Sequence, residues 1–314
     1  VGMKKTAASF DRLTDTTDII DGHAEVEGRV QVIARSRTKV DHPAGGIYSS
    51  VNDLSKWIGL LLNQGWQVPD STRIFSLSVL NEIWSPQTII RNGDPGAYHT
   101  HFKAYGLGFF MEDLNGYKEI SHTGGLEGMV TQVVMFPELK LGIIVLTNQQ
   151  EPAAFIAVSN QIRDGYLGLP KKDWITEISL ANYAYKAEGK KVTDSIQLEM
   201  KKAQEHSVKI NFDVYAGRYR DPWLGEVTIS GKNGKFFFVS SRSPKLSGEL
   251  FPYKENSFVV KWKDRSMDAD AFLIFRLNEN GIAEGMSMKA ISPLTDFSYD
   301  FQDLDFKKLP ENVK

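Results

Sequence analysis

The sequence predicts an α+β chain: an antiparallel sheet with flanking helices, then a helical linker, then a small all-β barrel. Three observations predict it. Strand-like runs joined by tight turns crowd the middle of the chain, around Tyr117 to Asn148. From Lys171 to about Ser207 the composition turns polar and helical, with Lys and Glu interleaved. After Ile210 short strand-like runs recur, punctuated by Lys232-Asn-Gly234 and Asn280-Gly281. The boundaries fall at 1–170, 171–207 and 208–314.

Each element has a local signal. Residues 1 to about 45 are irregular, with alternating stretches such as Ala24 to Ile33. Ser50-Val-Asn-Asp53 reads as a capping box, with Ser50 at the N-cap and the Asp53 carboxylate near the first-turn N–H groups. Leu54, Trp57, Ile58 and Leu61 then share a helical face, and Gly65 is placed to stop the helix. A second short helix fits Leu77 to Trp84, and residues 87 to 104 read as loop. Strands are expected over Tyr105–Leu114, the run closing at His122, Met129–Phe136 and Leu141–Asn148, with a helix over Ala153–Tyr166. The barrel strands are expected at 214–219, 226–230, 235–240, 248–253, 257–262, 271–277, 283–291 and 297–301.

Bulk properties exclude several functions. With 314 residues, 41% hydrophobic and 24% charged, the chain has an ordinary globular composition. A net charge of −2 and the lack of any Lys/Arg run give no footprint for nucleic acid. No apolar stretch reaches the roughly 20 residues a membrane helix needs. Zero cysteines exclude disulfides, thiol nucleophiles and cysteine metal sites. His99 and His101 have a spacing compatible with a metal, but only Asp94 stands near in sequence, so they read as loop residues and no metal or cofactor is expected. Asp264, Asp268 and Asp270 do not fit a calcium loop. Phe236, Phe237, Phe238 and Trp262 read as barrel core, and Trp223 as an exposed contact.

The chemistry concentrates at His122-Thr123-Gly124-Gly125, which closes the run from Tyr117. Glycines let a substrate carbonyl approach the backbone, whose N–H groups can hold a developing oxyanion. Pro43-Ala-Gly-Gly-Ile-Tyr-Ser-Ser-Val-Asn-Asp-Leu-Ser-Lys-Trp57, Tyr105-Gly-Leu-Gly-Phe109 and His122-Thr-Gly-Gly-Leu-Glu-Gly128 occur in that order, followed by Phe136-Pro137 and Leu146-Thr-Asn148. Together they resemble the C-terminal half of the serine β-lactamase-like family of class C β-lactamases, penicillin-binding proteins, esterases and D-amino-acid peptidases. The barrel resembles, more loosely, the lipocalin-like domain appended to many members.

The resemblance implies an acyl-enzyme hydrolase acting on a small-molecule or peptide substrate, exported or periplasmic if bacterial. It makes His122, Thr123 and Gly124 the edge-strand motif and Gly125 N–H one of two oxyanion donors. His122 would be a polar or proton-sharing group at the carboxylate or leaving-group end of the substrate. His in place of Lys resembles esterase and peptidase members more than penicillin-binding proteins. The family's Ser-x-x-Lys nucleophile occurs only as Ser36-Arg-Thr-Lys39, in the wrong place and with polar flanks, and Tyr-x-Asn is missing.

The sequence, beginning Val1-Gly2-Met3-Lys4, is therefore read as the later part of a longer product, inactive by itself, with a missing N-terminal segment as a possible partner. Such a fragment is expected to leave Val133, Ile143 and Val145 on an uncovered sheet face. The second reading is a non-catalytic binding or scaffold protein.

Overall fold

A computed structural model describes residues 1–35, 42–68, 70–126, 128–205 and 210–310. The chain divides into two compact units, Val1–Leu180 and Ala181–Lys314.

In the first unit, β1 (His23–Val26) and β2 (Arg29–Val32) form a hairpin. Helix α1 (Val51–Leu62) follows a single helical turn at His42–Gly45. Ser50 caps α1 by accepting from the Asp53 N–H at 3.3 Å. The reciprocal half of the expected box is absent. The buried Asp53 carboxylate instead accepts from Lys5 N–H (2.7 Å), the Thr6 hydroxyl (2.9 Å) and Lys56 Nζ (3.0 Å), and so ties the N-terminal segment to the helix. The helix ends at Leu62 in a turn where Gln64 takes φ +55° and Gly65 N–H bonds the Leu60 carbonyl at 2.9 Å; at Gly65 φ is +86° and the Phe75 carbonyl occupies the space a Cβ would need. A two-residue hairpin, β3 (Trp66–Gln67) with β4 (Thr72–Arg73), leads to α2 (Leu77–Ile83).

The sheet is six-stranded and antiparallel, in the order β10-β9-β8-β7-β6-β5. Its strands are β5 (Thr88–Ile90), β6 (Lys103–Tyr105), β7 (Phe110–Leu114), β8 (Tyr117–Leu126), β9 (Met129–Phe136) and β10 (Leu141–Leu146). Two expectations are corrected. Thr88–Ile90, read as loop, is a strand too short to show alternation. The single strand expected over Tyr105–Leu114 is two strands. A turn closed by Gly106 N–H to Phe109 O (2.8 Å), with Gly108 at φ +84°, folds it back.

Helix α3 (Ala153–Leu167) covers one face of the sheet and α1 the other. Period-two alternation sorts the side chains. Ile120, Met135 and Met111 pack with Ile58 and Leu61 of α1. Val134, Phe136, Leu141 and Ile143 pack with Ile162 and Leu167 of α3. The expected bare face is therefore not found: Ile143 is 4% exposed, Val145 lies against the α3 cluster, and Val133 lies against the α1 cluster. Gly142 allows the close approach of α1, because a Cβ there would meet Ile58 Cγ2 at 2.6 Å.

The polar, Lys/Glu-rich segment is one 32-residue helix, α4 (Trp174–Glu205). The second unit is a closed barrel of β11 (Gly217–Asp221), β12 (Gly225–Lys232), β13 (Lys235–Ser240), β14 (Ser247–Lys254), β15 (Ser257–Trp262), β16 (Ala271–Leu277), β17 (Ala283–Ala290) and β18 (Asp305–Lys308). The last strand differs from expectation. Phe297–Tyr299 and Phe301–Asp303 are 3-10 turns, and the closing strand is Asp305–Lys308, which buries only Phe306 and so carries a weak pattern. Phe236, Phe238 and Trp262, joined by Phe258, are all within 1% of complete burial and fill the interior; Phe237, expected with them, is only half-buried, because alternation along β13 turns it to the other face. Among the described residues no helix is long and apolar enough to cross a membrane.

Candidate functional site

The four residues singled out by sequence lie on the second half of β8. On one side they pair with β9, His122 opposite Val133, Thr123 opposite Gln132, Gly124 opposite Thr131 and Gly125 opposite Val130. On the other side the β7 ladder ends at Phe110 opposite Ser121. From His122 onward, β8 thus runs past its neighbour, and among the described residues one side of its backbone has no strand partner. In an antiparallel ladder alternate residues direct N–H and C=O to the same side, so part of this ribbon presents unpaired backbone groups to the open side. The expected sheet edge is in fact a central strand whose C-terminal half is an edge.

The ribbon is exposed at Thr123, Gly124 and Gly125, while His122 is half-buried. Alternation places His122 and Gly124 on the same face as Ile120. A Cβ on Gly124 would stand 2.6 Å from Thr131 Oγ1, whereas Gly125 faces open space. The strand end is laced down at Gly128, whose N–H donates to Gln150 Oε1 (3.1 Å) and whose carbonyl accepts from His23 N–H (3.0 Å).

The His122 ring is held on several sides. Nε2 lies 2.9 Å from the Tyr105 hydroxyl, and Nδ1 lies 2.5 Å from the Thr123 carbonyl. Phe110 packs against the ring at 5.7 Å between centroids and against Tyr105 at 4.7 Å. In the sequence Tyr105 stands within the Tyr105-Gly-Leu-Gly-Phe109 motif without a role of its own. The missed signal was the pair of aromatics flanking the Gly-Leu-Gly turn, which the β6–β7 hairpin delivers to the imidazole.

A second polar cluster lies beneath the sheet. Glu119 sits directly opposite Glu112, an unfavourable like-charge pair. Arg163 of α3 donates from Nη2 to Glu119 Oε1 and from Nη1 to Asn160 Oδ1, both at 2.7 Å. Burial pushes the Glu119 carboxyl up to about 7, against the opposing pull of Arg163. Next to it, Asp164 accepts from Tyr98 (3.0 Å) and from Trp174 Nε1 (2.5 Å). Burial, then the Asp164 carboxylate, raises the Tyr98 hydroxyl above its ordinary value. This cluster fastens α3 and the start of α4 to the sheet rather than offering groups to a ligand. Sequence reasoning passed over it, although an arginine on the inward face of a helix was a usable signal.

The remaining candidates do not gather. His99 ends a 3-10 turn at φ +51°, and His101 N–H donates to Asp113 at 2.9 Å. Among the described residues no group of three or more His, Asp or Glu could hold a metal ion. Asp270 pairs with Arg265, and Asp264 caps a 3-10 turn through Ser266 N–H. Trp223 is 57% exposed. Ser36-Arg-Thr-Lys39 lies outside the described residues.

Residues 2–165 match the beta-lactamase family model, and residues 201–308 match a domain of unknown function, DUF3471. The chain is similar to the unguisins hydrolase ungD of Aspergillus violaceofuscus, 30% identical over 144 residues, or 41% of this chain and 24% of that protein. It is also similar to beta-lactamase-like protein 2 of Dictyostelium discoideum, 29% identical over 123 residues, or 38% and 20%. The chain thus spans about a quarter or less of these relatives' length. Among solved structures, an octameric penicillin-binding protein homologue from Pyrococcus abyssi aligns over 98% of this chain and 57% of its own, at 15% identity and a TM-score of 0.45.

Proposed function

The chain belongs to the beta-lactamase family, and from that premise we propose that His122, Thr123, Gly124 and Gly125 form one wall of an acyl-transfer site in a serine hydrolase acting on an ester, amide or peptide bond. The observation that carries the reading is the open side of β8 beyond Ser121, where an imidazole and bare glycine backbone stand together. A substrate carbonyl laid along that side meets backbone N–H groups already fixed in a sheet. Fixed donors stabilise a developing oxyanion without reorganising, and one of them is worth about 3 kcal/mol in the transition state. In this reading Gly125 N–H is a donor, and His122 lies towards the carboxylate or leaving-group end of the substrate.

The attacking hydroxyl, in the same reading, comes from residues outside 1–314, since the sole Ser-x-x-Lys is Ser36-Arg-Thr-Lys39. Labelling with a fluorophosphonate probe tests both parts. Chain 1–314 is expected to remain unlabelled. The product of a coding sequence extended upstream of Val1 is expected to label at a serine in the added segment. Labelling of 1–314 itself would overturn the division of the site. An extended product that never labels would favour the binding-scaffold reading instead.

A further inference from the structure

His122 bonds through both ring nitrogens, and the two partners differ in kind. The Thr123 carbonyl oxygen, 2.5 Å from Nδ1, can only accept. Nδ1 must therefore carry a proton. In the neutral imidazole this leaves Nε2 as the acceptor, and the group 2.9 Å from it, the Tyr105 hydroxyl, must be the donor. Two of the ring's other neighbours are apolar or aromatic in character: Phe110 lies against it, and the Tyr105 ring is 5.9 Å away between centroids. Tyr105 and Phe110 are cross-strand partners in the β6–β7 hairpin, so one tight turn sets both the hydrogen bond and the packing.

We infer that Tyr105 is a positioning residue that selects the Nδ1–H tautomer of the neutral His122 ring and occupies its Nε2 lone pair. The shared proton of the pair then resides on Tyr105 Oη, and the imidazole works through that hydroxyl rather than as a free base. This use of the pair in chemistry rests on the acyl-transfer reading; the tautomer does not. A substrate group approaching the site would find a phenol oxygen with lone pairs left over, backed by an imidazole that strengthens it as a proton acceptor.

The test uses the intact chain with histidine ring nitrogens labelled by 15N. The chain has six histidines, and His122→Gln identifies which signal belongs to this ring. Two-bond proton–nitrogen correlation at alkaline pH then reads the tautomer directly. The wild-type ring is expected to be protonated at Nδ1 and bare at Nε2. Tyr105→Phe keeps the ring and removes the donor, and is expected to move the tautomer ratio towards Nε2–H by about fivefold, the effect of one ordinary net hydrogen bond. Phe110→Leu removes packing but no donor and is expected to leave the ratio in place. A wild-type ring protonated at Nε2, an unchanged ratio in Tyr105→Phe, or an equal shift in Phe110→Leu would each overturn the inference. Because the readout needs no turnover, an upstream-extended product that never labels would count against the acyl-transfer reading and leave the tautomer result standing.

Discussion

Replacing Arg163 with Met should destabilise the first unit, and more at alkaline than at acidic pH. Arg163 answers a buried carboxylate that stands opposite a second one, Glu119 across from Glu112. The folded Glu119 holds its proton more tightly than the unfolded side chain, about 7 against 4.5. The stability this contributes is fully present below the unfolded value and is lost as pH rises through about 7. At 1.36 kcal/mol per unit, the loss amounts to roughly 3 kcal/mol and then levels off. Without Arg163 the folded value climbs further, because the cation was lowering it. The variant's stability therefore keeps falling where the wild type has levelled, by up to about 2 kcal/mol more between pH 7 and 8.5. Added to this is the loss of the bond to Asn160, so the total cost at pH 8.5 falls near the roughly 3–5 kcal/mol typical of breaking a buried pair. Urea unfolding followed by near-ultraviolet circular dichroism at pH 5.5 and 8.5 measures the difference, with peptide-level hydrogen exchange assigning the transition to residues 1–180. An equal cost at both pH values would refute the argument.

Other perturbations follow from close contacts. Gly124→Ala should cost about 1–3 kcal/mol by pressing a methyl against Thr131 Oγ1, and Thr131→Ala should relieve most of that in the double variant, as a double-mutant cycle of urea unfolding would reveal. Gly65→Ala should cost at least about 1 kcal/mol, since its φ is +86° and the Phe75 carbonyl blocks the Cβ; a thermal melt that does not move would contradict this. Trp262→Ala should remove about 3–5 kcal/mol from the barrel alone, leaving β8 and α3 protected in hydrogen exchange.

The elements that sequence revealed are those whose signal is local. Ser50 before an apolar face marked α1, and two turn-flanked apolar runs marked β9 and β10. Apart from Tyr105–Leu114, which a local turn at Gly106–Phe109 splits, the misreadings share one cause, namely pairing decided at a distance. Thr88–Ile90 becomes a strand only because Lys103–Tyr105 lies beside it, and Asp305–Lys308 only because a barrel must close between β17 and β11. Asp53 looked like half of a local cap, yet two of its three partners are 47 and 48 residues away in sequence. At the site, the His-Thr-Gly-Gly ribbon was legible as a string. The abrupt end of β7 that uncovers it, and the Tyr105 hydroxyl that holds it, were not, because both depend on register across strands. The expectation of a bare sheet failed for a similar reason. A helix placed early in the chain and another placed after the last strand close over opposite faces of the same sheet.

The barrel's stuffing of interlocked rings has a consequence of its own. A greasy guest beside Phe238 and Trp262 would compete with those rings, which already meet edge to face at 5.4 Å. Trp223, 57% exposed, juts from the turn that follows the first stave, so the outer wall carries an aromatic contact of its own. Variation in outward loops can therefore change what is greeted without loosening the cask.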